Sequence, residues 1–335
     1  MIGTAHSHKE KAMNRTPLIV ISAACVALSS APAIGAENWP SKPLRVIVPY
    51  GAGSTTDIIP RAVFEQLSPQ LGQSIIVDNR AGAGGTIGSS LVARATPDGY
   101  TVLCNSSAHT IAPSLYTSLS YHPARDFAAV VPLGLSPAVL VVTPSRGYRT
   151  VKELLAAGRA KPGGLNFSSV GNGSGTHLSA EKFRFSARLE ATHIPFKGGA
   201  EAMTEVIAGR ADFFFGPVGL VLPHVKDGRL TALAVNSAKR SSVLPEVPTT
   251  SEAGYPNTEY PLWFGLFMPA NTPREIVQKL NRETLKALQT PRLREKLVAL
   301  GVEPMVMTPD EFDAHVRRGI ESDAGLVKAI GLKGE

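Results

Sequence analysis

Hydrophobic positions along the chain fall into short β-favouring runs, each followed by a break rich in glycine and hydroxyl residues and usually by apolar residues at helical spacing. Leu44–Val48 reads as a strand. After the loop Tyr50–Asp57, Ile59, Val63, Leu67 and Leu71 recur every four residues and predict a helix over Ile58–Leu71. Pro60 sits near its start, and proline is tolerated in the first turn of a helix, so Thr56 is the expected N-cap. The same order recurs. Ser74–Val77 leads into Ala81–Gly85 and a helix to about Ala95, and Thr101–Cys104 leads into Asn105-Ser106-Ser107-Ala108. Leu165–Ser168 leads into Val170–Thr176 and a helix from about His177, and Ile194–Gly199 precedes a helix over Glu201–Ala208. This alternation predicts an α/β architecture.

Leu135–Thr143 and Leu262–Met268 are longer apolar strands, expected to cross between two domains, with the C-terminal helices packing back onto the first. Thr150-Val151-Lys152-Glu153 forms a capping-box pattern. Thr272-Pro273-Arg274-Glu275 and Thr308-Pro309-Asp310-Glu311 each combine an N-cap threonine, a proline at the first helical position and a glutamate three residues on. There is no internal repeat and no low-complexity stretch.

The first 36 residues carry a basic start (Lys9, Lys11, Arg15), an apolar core (Leu18–Leu28) and small residues to Ala36, the pattern of a cleaved export signal. Met13 offers a compact alternative start. The apolar core is too short to span a bilayer, and Ser22-Ala23-Ala24-Cys25 lacks the large aliphatic residue of a lipid-attachment site. The expected mature chain is therefore exported to the periplasm and not itself membrane-spanning. It keeps one cysteine, Cys104 on a strand, so no internal disulfide is available and the core must hold the fold unaided. Three basic residues and one acidic residue leave with the signal, taking the net charge from +7 to +5. With no basic run and few aromatics, nucleic acid is not an expected partner; a mild positive field favours small anions.

The glycine loops point the same way. A helix N-terminus carries unsatisfied N–H groups and about half a unit of positive charge. Small residues just before it let an anion approach the backbone. Gly82-Ala83-Gly84-Gly85-Thr86-Ile87-Gly88 does not match the dinucleotide fingerprint G-x-G-x-x-G, and no acidic residue ends the next strand. Gly173-Ser174-Gly175 does not match a hydrolase nucleophile elbow. His177, His193, His224 and His315 have no metal-ligand spacing, and a structural role is expected for each; His177 stands apart because it follows a glycine loop. Phe213-Phe214-Phe215 is either a buried strand end or an aromatic wall facing a ligand.

Several blocks together resemble a known family. They are Val77-Asp78-Asn79-Arg80-Ala81-Gly82-Ala83-Gly84-Gly85, His193-Ile194-Pro195-Phe196-Lys197-Gly198-Gly199, Pro248-Thr249-Thr250-Ser251-Glu252-Ala253-Gly254-Tyr255-Pro256 and Trp263-Phe264-Gly265. From Trp39-Pro40 to about Gly331 the chain resembles the Bug-type substrate-binding receptors of tripartite tricarboxylate transporters. The resemblance implies a type II periplasmic-binding-protein fold of two α/β lobes joined by two crossing strands, with lobe 1 over 37–137 and 261–335 and lobe 2 over 138–260. It implies a carboxylate held in the cleft by Tyr50, Gly53, Ser54, Thr55 and Asp57 and by Ala83, Gly84, Gly85 and Thr86, with Ser106 and Ser107 nearby. Across the cleft, Ser168, Gly173, Ser174 and His177 would close over the other end, and Phe215 would face the ligand. The expected protein is a monomeric receptor, with neither catalytic activity nor cofactor or metal. It would serve two transporter membrane subunits or, alternatively, a sensor kinase's periplasmic domain. Many relatives carry Phe-Asp-Asn where this chain has Phe215-Gly216-Pro217. Loss of that aspartate removes a partner for an ammonium group, so the expected ligand is a dicarboxylate or aromatic acid without an amino group.

Overall fold

The computed structural model describes Gly3, residues 39–260 and residues 262–332. Apart from Gly3, the expected export signal lies outside the described residues. The first half of the chain runs β1 (Leu44–Val48), α1 (Thr55–Leu71), β2 (Ile75–Asn79), α2 (Thr86–Ala93), β3 (Thr101–Ser106), α3 (Ala108–Leu115) and β4 (Phe127–Ser136). It continues through β5 (Ala138–Val142), α4 (Val151–Ala160), β6 (Leu165–Ser169), α5 (Gly175–Ala187), β7 (Ala191–Pro195) and α6 (Gly199–Ile207). Then follow β8 (Phe213–Pro217), α7 (Val218–Lys226), β9 (Thr231–Asn236), β10 (Leu262–Pro269), α8 (Arg274–Leu288), α9 (Pro291–Ala299) and α10 (Pro309–Ile330).

The strands form two five-stranded sheets, ordered β2-β1-β3-β10-β4 and β7-β6-β8-β5-β9. In each, one strand is antiparallel to both its neighbours: β10 between β3 and β4, and β5 between β8 and β9. Both are the strands by which the chain enters a lobe from the other one. Every residue of β5, β8 and β10 is buried, as strands covered on both faces require. The apolar run expected as one strand over Leu135–Thr143 is divided at Pro137, which has no N–H to give to a ladder. Its first part ends β4 in one sheet, and its second part is β5 in the other. The passage back precedes Leu262, so β10 lies wholly within the first sheet. Helices α8 and α10 pack on β4, α8 also on α1, and α10 also on α3.

Local expectations differ from the structure at two helix starts. Helix α1 begins at Thr55 with Ser54 as N-cap, not Thr56, which places Pro60 in the second turn. Pro60 cannot donate to Thr56 O, and the Cys104 thiol donates to that carbonyl instead, at 3.8 Å. Pro273, not Thr272, caps α8, and the Thr272 hydroxyl donates to Pro269 O. The capping boxes at Thr150–Glu153 and Thr308–Glu311 are both formed. Among the described residues no helix is long and apolar enough to cross a membrane.

Candidate functional site

The loop between β1 and α1 is held by one buried carboxylate. Asp57 accepts from the Gly53 N–H (2.9 Å), from Asn79 Nδ2 (3.0 Å) and from Arg61 Nε (2.9 Å). Asn79 Nδ2 also donates to Tyr50 O at 3.0 Å, tying the ends of β1 and β2 together. Gly53 takes φ +79°, a conformation glycine adopts without strain. Ser54 enters α1 from extended backbone; its hydroxyl is buried and has no hydrogen-bond partner among the described residues. Burying a hydroxyl unpaired costs about 1–3 kcal/mol, so Ser54 Oγ has a donor and acceptor to offer to whatever enters beside it.

The glycine loop that follows β2 is a single 3₁₀ turn over Ala83–Gly85, and α2 starts at once behind it. Thr86 Oγ1 donates to Ala83 O and Tyr50 Oη to Gly84 O, at 2.9 and 3.2 Å. Gly84 has φ +59°, and a Cβ there would overlap both Asn172 O and Tyr116 Oη. Asn172 belongs to the loop between β6 and α5 of the second sheet, so this glycine lets the two lobes touch. Tyr116 spans the same gap, donating to Asn172 O at 3.2 Å. Replacing Tyr116 with phenylalanine is expected to weaken ligand binding several-fold, about 1 kcal/mol for one neutral hydrogen bond, through faster dissociation. Stopped-flow release kinetics check this; an unchanged off-rate would remove Tyr116 from lobe closure.

On the far side, Ser174 caps α5, accepting from the His177 N–H at 3.2 Å. Thr176 Oγ1 accepts from Val170 N at 3.0 Å and holds the preceding loop. Gly198 and Pro217 cap α6 and α7 from extended backbone.

These elements enclose a cavity of about 40 Å³, lined from one lobe by Tyr50, Ser54, Thr55, Thr56, Ser106, Leu262 and Phe264. The other lobe contributes Val170, Ser174, Gly175, Thr176, Gly199, Pro217 and Leu220. The first turns or caps of four helices (α1, α5, α6 and α7) therefore converge on one point from both lobes. Among the described residues no charged side chain lines this cavity. Its positive potential comes from helix ends and N–H groups, and burial holds the Tyr50 hydroxyl above its ordinary range, so it stays a neutral donor. A second cavity of about 490 Å³ shares Tyr50 and Val170 with the first; Gly82–Gly85, Tyr116, Asn172, Phe196, Lys197 and Glu201 are among its walls.

Of the residues singled out from sequence, Tyr50, Ser54, Thr55, Ser106 and Ser174 line the first cavity, and Tyr50 with Ala83, Gly84 and Gly85 lines the second. The others lie behind. Gly53, Asp57 and Thr86 shape the loops through the hydrogen bonds above. Ser168 is fully buried and donates to Ala202 O. Ser107 opens α3 and faces a different cavity, with Tyr260 and Asp323. Gly173 N donates to His177 Nδ1 at 3.2 Å. The His177 ring stacks on His193 with centroids 3.9 Å apart, beneath the loop and not in the cavity. Phe215 is buried beside Phe183, so the Phe213–Phe215 run is a core strand, β8. Gly216 has no room for a side chain, because a Cβ would overlap Val221 and Phe214.

Sequence reasoning missed Leu262, Phe264, Leu220 and Pro217. They are apolar positions on strand or helix ends, and nothing in local pattern separates them from core. The one available signal was Gly199, which opens α6 directly after the quoted Lys197-Gly198 block.

Comparison with known proteins accords with this geometry. The solved periplasmic binding protein BugD is 30% identical with a TM-score of 0.85, the match covering 89% of this chain and 100% of that one. R. palustris Rpa4515 with adipate is 33% identical with a TM-score of 0.86, covering 89% and 100%. MatC (Rpa3494) from Rhodopseudomonas palustris with bound malate is 30% identical with a TM-score of 0.82, covering 86% and 100%. The two sheets and their helices are thus the two lobes of a periplasmic-binding-protein fold. Residues 59–332 match the family described as tripartite tricarboxylate transporter family receptor, TctC. The chain belongs to that family, one of binding proteins and not of enzymes.

Proposed function

We propose that the protein is a periplasmic receptor that captures a small organic carboxylate between its lobes and delivers it to the membrane subunits of a tripartite tricarboxylate-type transporter. The observation that carries this is the convergence of four helix N-termini on a cavity lined by no charged side chain, with the Ser54 hydroxyl buried and unpartnered beside it. Such a site suits an anion that accepts several N–H and O–H donors at once. With each charge-assisted bond contributing about 1.5–3 kcal/mol, a few of them supply the roughly 8 kcal/mol of micromolar affinity. In this reading lobe 1 comprises residues 37–137 and 261–335, and lobe 2 residues 138–260. Tyr50, Ser54, Thr55, Ser106 and Ser174 bind one carboxylate, while Ala83, Gly84 and Gly85 flank the rest of the ligand. Gly53, Asp57, Thr86, Ser107, Ser168, Gly173, His177 and Phe215 hold those residues in place.

The ligand is a dicarboxylate or an aromatic acid without an amino group. Among the described residues no carboxylate lines the first cavity to receive an ammonium ion, Gly216 and Pro217 supply none, and Glu201 in the second is engaged by the Lys197 N–H. The relatives solved with adipate and malate both hold dicarboxylates, which supports the first class. The working form is an exported monomer whose signal is cleaved near residue 36.

Native followed by denaturing mass spectrometry of the purified protein tests the reading. An organic acid released one-to-one is expected, and calorimetric titration with that acid should then show saturable binding. A released nucleotide, or an amino acid bound as tightly as any carboxylate, would overturn it.

A further inference from the structure

We infer that Gly219 is a positioning residue: by carrying no side chain it lets the first turn of α7 seat against the Leu300–Gly301 turn of the other lobe, and so fixes how far α7 reaches into the cleft. This role presupposes the receptor reading above and concerns how the lobes close, not which acid they hold.

Helix α7 packs on β5 and β8 and belongs to the second sheet. The turn behind α9 belongs to the first. There the Leu135 N–H of β4 donates to Glu303 O at 2.9 Å, and the Glu303 N–H donates to Leu135 O at 2.8 Å. Where α7 and this turn meet, each offers a glycine to the other. A Cβ at Gly219 would lie 2.6 Å from Leu300 O and 3.3 Å from Leu300 C and Cα, all of them main-chain atoms. On the facing side, a Cβ at Gly301 would overlap Cγ1 and Cβ of Val218.

Neither partner has a flexible side-chain end to turn aside. The Leu300 turn is fixed by the pairing at Glu303 and by the Leu300 N–H, which donates to Lys296 O at 3.1 Å. Val218 donates its N–H to Pro137 O at 3.1 Å, where the chain passes from β4 to β5. The contact therefore flanks a crossing between the lobes. Closure of two lobes is a rotation about such crossings, so a small displacement beside one grows across the cleft. Pro217 and Leu220, on either side of Gly219, line the first cavity. Restoring ordinary separation around an added methyl group takes a shift of roughly 1 Å. Such a shift draws the free N–H groups of the α7 first turn away from an anion held there, and hydrogen bonds do not survive that stretch.

Gly219→Ala inserts one methyl group into the contact. Gly219 is the second residue of a helix, where alanine is otherwise the better helix former. Gly301 suits the test less well, because at φ +64° alanine would also strain the backbone. Gly325→Ala serves as the control, since Gly325 lies in α10 and a Cβ there meets nothing within 4 Å.

Stopped-flow kinetics and calorimetric titration use the acid released from the wild-type protein. Gly219→Ala is expected to bind it about tenfold more weakly, as overpacking of one methyl group against main chain implies. The loss should fall on dissociation and leave association unchanged, because the wedge opposes closure and not encounter with the open cleft. At saturating acid, small-angle scattering should give the variant a larger radius of gyration than the wild type. The thermal midpoint without acid should hold or rise, and Gly325→Ala should bind as the wild type does. Wild-type affinity and dissociation rate in Gly219→Ala would overturn this role while leaving the receptor reading intact. A midpoint lowered by several degrees without acid would overturn it too, because the contact would then serve the fold and not closure. Failure of the wild type to bind any carboxylate would overturn the receptor reading itself, and this role with it.

Discussion

Gly84→Asp is expected to abolish ligand binding, a loss of about 100-fold or more, roughly 3 kcal/mol, while the fold persists. The reason is steric before it is electrostatic. A Cβ at this position overlaps Asn172 O and Tyr116 Oη, atoms on opposite sides of the cleft. The Tyr116 hydroxyl ends a side chain that can turn aside, but Asn172 O is backbone of the other lobe; separating the lobes relieves that overlap, and a separated cleft loses the donors of α5, α6 and α7. The carboxylate then adds negative charge where an anion must enter. Stability should change little, because Gly84 lies at the rim of the cleft and aspartate tolerates φ near +60° at a cost of about 1 kcal/mol. Calorimetric titration with the acid released from the wild-type protein, alongside circular dichroism and the thermal midpoint, separates the two effects. Wild-type affinity in a folded variant would take this loop out of the binding site.

Acid is expected to destabilise the protein steeply between pH 6.5 and pH 4. Three histidines are held neutral by their surroundings. Burial pushes His109 down to about 4, where it accepts from Asn105 Nδ2 and donates to Pro123 O amid Tyr121, Phe127 and Phe267. Burial also takes His177 down to about 4 and His193 to about 3. The ring stack at 3.9 Å works against a second charge. Each folded pKa lies below the unfolded value of about 6.5, so the unfolded chain binds more protons in this window. The stabilisation is complete above pH 6.5 and is lost as pH falls toward 4. At pH 5 each histidine costs about 2 kcal/mol by this linkage.

Asp323 acts in the opposite sense. Burial raises it to about 6, and it accepts from Thr110 Oγ1 and Tyr260 Oη where α10, α3 and the chain entering β10 meet. Its ionisation disfavours the fold as pH rises from about 3.8 through 6, so acid restores roughly 1.5 kcal/mol at pH 5. The histidines outweigh it, and a net loss of a few kcal/mol is a large part of an ordinary domain's stability. Urea midpoints at pH 7.5 and pH 5 measure the difference. Equal midpoints would mean that folding does not hold these histidines below their ordinary range.

Much of this could be read from residues a few positions apart. The capping boxes, the strand-loop-helix order and the glycine loops depend on contacts between near neighbours, and short spacings record them. The same reasoning failed at Thr56 and Thr272. At the first, Pro60 is accommodated in the second turn because Cys104, far away in sequence, supplies a donor to the freed carbonyl. At the second, a threonine hydroxyl found a nearer acceptor in Pro269 O. His177 shows the limit most plainly. Its place after a glycine loop suggested a ligand contact, but the parallel pairing of β6 with β7 brings His193 beneath the loop, and the ring stacks there.

The amino-acid sequence by itself determined the α/β class, the order of elements and the positions where helices open on small residues, because those follow from periodicity and hydrogen bonds made within a few residues. The tertiary structure decided which openings face one another. Strand order in the two sheets, the division of one apolar run at Pro137 and the contact of Gly84 with Asn172 brought four helix ends to a single cavity. Those are meetings of residues far apart in the chain, and they exist only once both lobes are packed.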